Sequence, residues 1–497
     1  MTADTQLERR LGPLDATMIV IGSMIGSGIF ITSAESARLV GAPGWLLLAW
    51  TVAGLMTITG ALCCSELATM MPRAGGVYVF LREAYGPSLG FLFGWALFLV
   101  VQTGTIAAVA IAFAKFLGVF VPSVRPDNYL IFQQPLSLGG GYAISLSTEQ
   151  LTAILLIALL TFTNTRGLNV GKLVQNSFTF AKLAALAGVV ILGLALGWNA
   201  SCAARTSSWW DSWSNGWTPQ AAQPGMTVVG STALLLLFGK AMVGPVFAQT
   251  AWTNVTFLGS EVRDPGRNLV RALLWGCGIV VVLYVLANLA YVAVLSLPEI
   301  QHAPQNRVAV AMMNTLFGHP GALAMAAAIM ISTFGCNNGL ILAGARVYYA
   351  MAGDGLFFKK IAATNAFHVP SAALVAQGIW TALLTLPRTV TTNANGTVVY
   401  GNVYNQLLEY IVSADLIFYL LLVVAVIVLR RTRPQTERPY RMWGYPFVPI
   451  ISIALAILLI IDLAWLAPAT SGIGILIVLT GVPIYFLWRK KQSQPRL

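Results

Sequence analysis

The chain has 497 residues, of which 57% are hydrophobic and 9% charged, with mean hydropathy +0.76. Soluble domains carry about 25% charged residues, so this composition excludes a soluble globular protein and leaves a polytopic membrane protein. The net charge of +12 would suit nucleic acid in a soluble chain, but its placement along the sequence assigns it to topology instead.

A spanning helix needs about 20 mostly apolar residues. The opening MTADTQLERR is polar and has no small-residue cleavage site of a leader. About twelve apolar segments follow, at roughly 14–34, 44–70, 87–119, 148–165, 174–197, 226–257, 271–296, 320–350, 371–387, 405–429, 446–466 and 470–488. The stretch 307–316 predicts a short helix outside the membrane core, ended by Gly318 and Pro320.

With the amino terminus in the cytoplasm, one side collects Arg9, Arg10, Arg73, Arg82, Arg166, Lys172, Arg263, Arg267, Arg271, Lys359 and Lys360. It also collects Arg430, Arg431, Arg433, Arg438, Arg441 and the RKK at 489–491. The other side receives Arg38, Arg125, Arg205, Arg307 and Arg388. This is the positive-inside pattern; it places both termini in the cytoplasm and removes the reason to invoke nucleic acid. The loop 199–225 holds Trp209, Trp210, Trp213 and Trp217, just after Trp198. An interfacial aromatic belt and a substrate lid both account for that cluster.

No cofactor is implied. Cys63, Cys64, Cys277 and Cys336 lie in apolar segments, Cys202 stands alone in a polar loop as a surface thiol, and no CxxC occurs. His302, His319 and His368 lack metal-ligand spacing, and no P-loop pattern suggests direct use of ATP.

Two spans are interrupted. In the first, IGSMIGSGIF places Gly22, Gly26 and Gly28 inside the apolar segment, each costing about 1 kcal/mol against alanine in a helix. In the sixth, KAMVGPVFAQTAW carries Gly244-Pro245, then Gln249, Thr250 and Thr253. Matching breaks in spans one and six predict two halves of five spans, the sequence pointer to a transporter site. The divisions are a tail 1–12, repeats 13–198 and 226–431 around the loop 199–225, helices eleven and twelve over 432–488, and a tail 489–497. A break exposes N–H groups that favour a carboxylate and C=O groups that favour an ammonium. One broken pair therefore fits both ends of an α-amino acid, and glycine lets a ligand approach the backbone. The alternative is packing, since small-xxx-small patterns also bring helices together.

At these residues the chain resembles the amino acid–polyamine–organocation superfamily, and within it the L-type amino acid transporter family and its bacterial relatives. The resemblance is carried by GSGIF at 26–30, ELATMMPRAGGVYVFLREAYGP at 66–87, FAQTAWTNVTFLGSEVRDPGRNLVRAL at 247–273 and STFGCNNG at 332–339. It implies an all-α membrane protein of about twelve helices with a 5+5 inverted repeat, the LeuT-like fold, with discontinuous helices 1 and 6. Gly26, Ser27 and Gly28 match the positions that receive the substrate carboxylate. Ser23, Met24 and Ile25 match the unwound turn that accepts the ammonium. Phe247 matches the aromatic gate, Ala248, Gln249, Thr250 and Ala251 the unwound part of the sixth helix, and Asn338 a polar residue near the side-chain pocket. Several relatives have glycine where this chain has Thr250, which weakens any transfer of preference for large aromatic substrates. Heterodimeric animal members place a linking cysteine in the loop matching Val121 to Ser145; this loop has none, so no disulfide-linked partner subunit is expected. A monomer or weak homo-oligomer in a plasma (bacterial inner) membrane follows.

An ionisable residue within a span is a functional candidate. Lys182 matches the fifth-span lysine of sodium-independent relatives, where an ammonium stands in place of Na⁺. It is expected to link the Gly22 carbonyl to the hydroxyls of Ser332 or Thr333; the alternative is a snorkelling lysine. Lys240 either draws anionic substrates or pairs with Asp415 or Glu409. Lys115 and Asp462, near outer span ends, are expected to snorkel. Glu66 and Arg73, at the cytoplasmic end of the second span, suit gate and packing roles equally.

These features favour sodium-independent exchange of small-to-medium neutral L-amino acids by alternating access. Anionic, cationic or polyamine transport and proton-coupled uptake are the transport alternatives, and a membrane amino acid sensor the non-transport one. A membrane acyl- or glycosyltransferase would need paired acids or a His-Asp pair near the interface, and the acids here are dispersed.

Overall fold

The computed structural model describes residues 9–131, 134–139, 141–199, 202–206, 211–212, 214–219, 230–392, 398–401, 403–466 and 468–492. Trp209, Trp210, Trp213 and most of both tails lie outside these.

Helix α1 (Pro13–Met24) starts where the Asp15 carboxylate accepts the Gly12 N–H at 2.9 Å and Pro13 fills the first turn. It ends as Ile25 leaves helical angles (φ −75°, ψ 86°), and α2 (Gly28–Val40) resumes the path until Gly41, at φ 63°, caps it. Then come α3 (Pro43–Met70), α4 (Val77–Tyr85) and α5 (Pro87–Leu117), which holds a π turn over Leu97–Val101. Ser147 and Gln150 form a capping box that opens α6 (Thr148–Asn164), followed by α7 (Leu168–Leu196). The sixth apolar segment is divided into α8 (Gly230–Ala241), α9 (Val243–Gln249), a 3₁₀ turn Ala251–Thr253 and α10 (Asn254–Phe257). Helix α11 (Pro265–Val294) begins before the expected 271, because its first turns carry Arg267 and Arg271 beyond the apolar run. Helix α12 (Val308–Gly353) is broken at Gly318 (φ 66°, ψ −158°), with Pro320 following, so the expected short helix is an arm of it. The chain closes with α13 (Ser371–Leu384), α14 (Val403–Thr432), α15 (Phe447–Leu466) and α16 (Pro468–Gln492).

Among the described residues, nine helical stretches are long and apolar enough to cross a membrane; Thr148–Asn164, Ser371–Leu384 and Gly472–Trp488 are apolar but shorter. The outward faces carry Leu235, Trp275, Ile450, Leu458, Leu476 and Phe486, all exposed, which is the surface lipid requires.

The expectation of an all-α chain needs one correction. Strands β1 (Leu136–Gly139), β2 (Tyr142–Ile144), β3 (Pro387–Thr392) and β4 (Val398–Tyr400) form one antiparallel sheet in that order. Its central pairing joins Tyr142 to Thr389 and Ile144 to Pro387, two loops far apart in sequence. The runs RTVTT and TVVY are rich in β-branched and aromatic residues, which favour strands. The sheet lies on one end of the bundle, here the sheet face. The other end, the basic face, gathers Leu11 against Val262, Ala74 against Leu258, and Glu66 with Arg430.

Candidate functional site

Both interrupted helices lie at the centre of the bundle, and their breaks differ. Around the first, the carbonyls from Gly22 to Gly26 all accept hydrogen bonds from the protein. Lys182 Nζ on α7 donates to Gly22 O (2.8 Å) and Ile25 O (3.0 Å). Ser332 Oγ on α12 donates to Ile25 O (3.2 Å) and Gly26 O (3.4 Å). Cys336 Sγ donates to Ser23 O (3.2 Å), and Tyr284 Oη to Met24 O (2.8 Å). Lys182 therefore does not bridge to a hydroxyl of α12. It and Ser332 share the Ile25 carbonyl, and Thr333 turns back on Ile329 and Met330 of its own helix. A lysine has no acceptor, so carbonyls suit it better than a hydroxyl that must itself donate.

The three glycines are crowded by protein. A Cβ on Gly22 would fall on Gln175 and Thr179, one on Gly26 would lie 2.9 Å from Cys336 Sγ, and one on Gly28 2.5 Å from Ala248 Cβ. The packing alternative thus has geometry at all three positions. Beyond the break, the first N–H groups of α2 have no acceptor within their own helix. Ser27 Oγ is hydrogen-bonded to Tyr404 Oη of α14 at 3.0 Å, while Ser23 Oγ is buried without a partner.

The sixth segment is looser. Phe247 is buried and meets the Tyr404 ring edge-on, centroids 6.3 Å apart. Ala248 faces Gly28, and Gln249 Nε2 turns to the Trp50 carbonyl at 3.3 Å. Thr250 and Ala251 line a cavity toward the basic face, with Gln102, Thr105, Asn254 and Asp415. A second cavity, toward the sheet face, is lined by Thr32, Glu35, Lys240, Gly244, Asn405 and Glu409. Neither touches residues 22–28. Each has ≈ 50 Å³ in which a water-sized sphere can be centred, room for roughly three to five waters at about 10–15 Å³ each. The first break, the expected clamp for carboxylate and ammonium, is thus closed between two small chambers. Asn338 lines neither, its Oδ1 accepting from Asn164 Nδ2 at 2.8 Å.

The remaining candidates sort by face. Lys240 shares its cavity with Glu409 and Glu35, whereas Asp415 lines the other one, so Asp415 is not its partner. Lys115 (3% exposed) and Asp462 (8%) are buried and do not snorkel. The Lys115 ammonium lies 5.6 Å from the Tyr404 ring centroid. Arg307 donates to the Lys115 carbonyl; burial pushes Arg307 down to about 10, with Glu149 pulling the other way. Cys202, expected at the surface, is 1% exposed. Trp217 supplies the carbonyl that Trp45 Nε1 bonds at 3.0 Å, and the two rings meet edge-on, so this tryptophan packs on the start of α3.

On the basic face Glu66 accepts from Arg430 Nε (2.9 Å) and the Met442 N–H (2.9 Å), and pairs with Arg438 at 3.2 Å. Arg73 is exposed. Glu261 and Arg346 form a fully buried ion pair at 3.0 Å. Asp354 joins Tyr78 (2.6 Å) and Arg82. The loop before α4 turns at Gly75 (φ 95°) and Gly76 (φ 43°), where a Cβ would strike Thr256; this seats the ELATMMPRAGG stretch against α10.

Sequence reasoning missed Tyr404, Tyr284 and Cys336, whose partners lie hundreds of residues away. Buried hydroxyl and thiol groups within spans were the available signal.

A family profile described as amino acid permease matches residues 11–487. The chain is 30% identical over 491 residues to the large neutral amino acids transporter small subunit 2 of Mus musculus, covering 99% of this chain and 83% of that protein. It is 28% identical over 498 residues to the serine/threonine exchanger SteT of Bacillus subtilis (strain 168), covering 99% of both. It is 28% identical over 502 residues to the b(0,+)-type amino acid transporter 1 of Rattus norvegicus, covering 99% of this chain and 91% of that one.

Proposed function

The chain belongs to the amino acid permease family and is a multi-pass membrane transporter of amino acids rather than an enzyme, and on that premise we propose that it is a sodium-independent exchanger of small-to-medium neutral L-amino acids. Its named relatives include a large neutral amino acids transporter small subunit and a serine/threonine exchanger. In this reading the twelve apolar helices form two inverted five-helix repeats plus α15 and α16, with both termini in the cytoplasm of a plasma (bacterial inner) membrane. The substrate carboxylate meets the N–H groups and hydroxyl at Gly26, Ser27 and Gly28. Its ammonium takes the second lone pair of the Ser23 carbonyl, since a carbonyl accepts twice, and at Met24 and Ile25, whose carbonyls already accept two donors each, it displaces one of them. Phe247 covers it from the sheet face.

The observation that carries sodium independence is the position of Lys182 Nζ, 2.8 Å and 3.0 Å from two carbonyls of the broken helix. An ammonium already stands among oxygen ligands that would otherwise suit a metal cation. Exchange is carried over from the relatives, one of which is named a serine/threonine exchanger; in this reading the two repeats reorient with substrate bound between them. Proteoliposomes loaded with L-serine or L-alanine should take up labelled neutral amino acid equally well in sodium and choline media, and only when loaded. Uptake that requires Na⁺, with no stimulation from internal substrate, would refute the proposal. Binding without counterflow would favour a sensor.

A further inference from the structure

The cavity beside Thr250 contains one formal charge, the Asp415 carboxylate, and no Lys, Arg or His lines it. Asp415 is half-buried and makes no ion pair or hydrogen bond among the described residues. Four of the side-chain donors around it are already committed. Thr105 donates to the Val101 carbonyl (2.6 Å), Thr250 to Phe247 (3.1 Å), Tyr419 to Met56 (2.6 Å), and Gln102 Nε2 to Leu340 (2.8 Å). A hydroxyl whose proton is engaged still offers lone pairs. Those four groups therefore present acceptors around an anion. Asn254 Nδ2, in a residue 2% exposed, also lacks a partner there, a second sign of an unfilled polar space. An unpaired carboxylate inside a helical bundle is unfavourable until a cation or proton joins it.

We infer that this chamber is a subsite for a cationic side chain, in which Asp415 pairs with the ammonium or guanidinium of a diamino or guanidino acid. Val101, Leu340 and Phe418 form apolar wall for the methylene stem, which long cationic side chains bury readily. The acid comes from α14, not from either break, so a site with an uncharged clamp still discriminates by charge. The inference rests on the transporter reading above and widens its substrate range from neutral to cationic amino acids.

The test is a thermal-shift titration of purified protein, run beside competition for exchange in proteoliposomes, with L-lysine, L-ornithine, L-arginine and L-alanine. Wild type should bind the three cationic acids. Asp415→Asn should weaken them roughly 10- to 150-fold, the range for a lost charge-assisted hydrogen bond, and leave L-alanine unchanged. Asp415→Glu should keep the cationic acids bound, which separates charge from folding. Three outcomes overturn the inference: no cationic acid binds wild type; Asp415→Asn weakens L-alanine equally; or it abolishes a pH or sodium dependence with L-lysine affinity intact. Lysine binding that depends on Asp415 without transport of any amino acid would instead uphold the subsite and refute the exchanger.

Discussion

The two broken helices solve one problem with opposite materials. At the first break, glycines let α7, α9 and α12 close in, and Lys182, Ser332, Cys336 and Tyr284 hold its carbonyls. At the sixth, Gly244-Pro245 and Thr250 interrupt the helix beside open space, with a cavity on either side. The sixth segment is pinned farther along, by the buried Glu261–Arg346 pair and the loop at Gly75 and Gly76. The difference teaches that interruption alone does not define a role. On the proposed reading, the first break is a fixed clamp for groups every amino acid shares, and the sixth is an adjustable wall for the side chain.

Five substitutions sharpen this contrast. Arg346→Ala leaves a buried carboxylate and should cost about 3–5 kcal/mol, read as loss of folded protein in a thermal melt. Gly28→Ala forces a Cβ to within 2.9 Å of the Ala248 backbone and should lower stability by about 1–3 kcal/mol with loss of exchange. Gly22→Ala, crowded only by the ends of the Gln175 and Thr179 side chains, should be milder; equal damage at both would undo the fixed-clamp account. Thr250→Gly should keep exchange and move preference toward bulkier neutral side chains by roughly tenfold, measured by competition. Tyr404→Phe removes the Ser27 hydrogen bond, worth about 0.5–1.5 kcal/mol, and should weaken substrate binding roughly two- to tenfold.

The smallest effect concerns pH on the basic face. Burial pushes the Glu83 carboxyl up, but hydrogen bonds from Arg433 and Arg82 outweigh it and hold the group below its usual 4.5. A depressed carboxylate adds stability above its unfolded value and loses it as pH falls through its folded one. Melting temperature should therefore drop below pH 4.5, and Glu83→Gln should flatten that drop slightly.

Much of this architecture was legible in the chain. Hydropathy marks the long helices, because lipid demands an apolar face wherever a helix crosses. Gly and Pro mark both breaks, because each weakens a helix locally. The family resemblance placed Lys182 beside the first helix. Its partners were less legible: a hydroxyl and a carbonyl are both acceptors on paper, and only α12's approach shows that Thr333 turns back on its own helix. Tyr404 escaped for a related reason, and Asp415 was named only as a partner for Lys240, whose cavity it does not share. Residue 404 meets residue 27 across the fold, and no local pattern reports such a meeting. The sheet joins loops some 240 residues apart for the same reason.

The central claim is that the protein's own ammonium occupies the cation position of the first break. Tracer exchange by Lys182→Ala in proteoliposomes tests it, with folding verified by a thermal melt. The account predicts that a folded Lys182→Ala protein loses most exchange; near-wild-type exchange would contradict it.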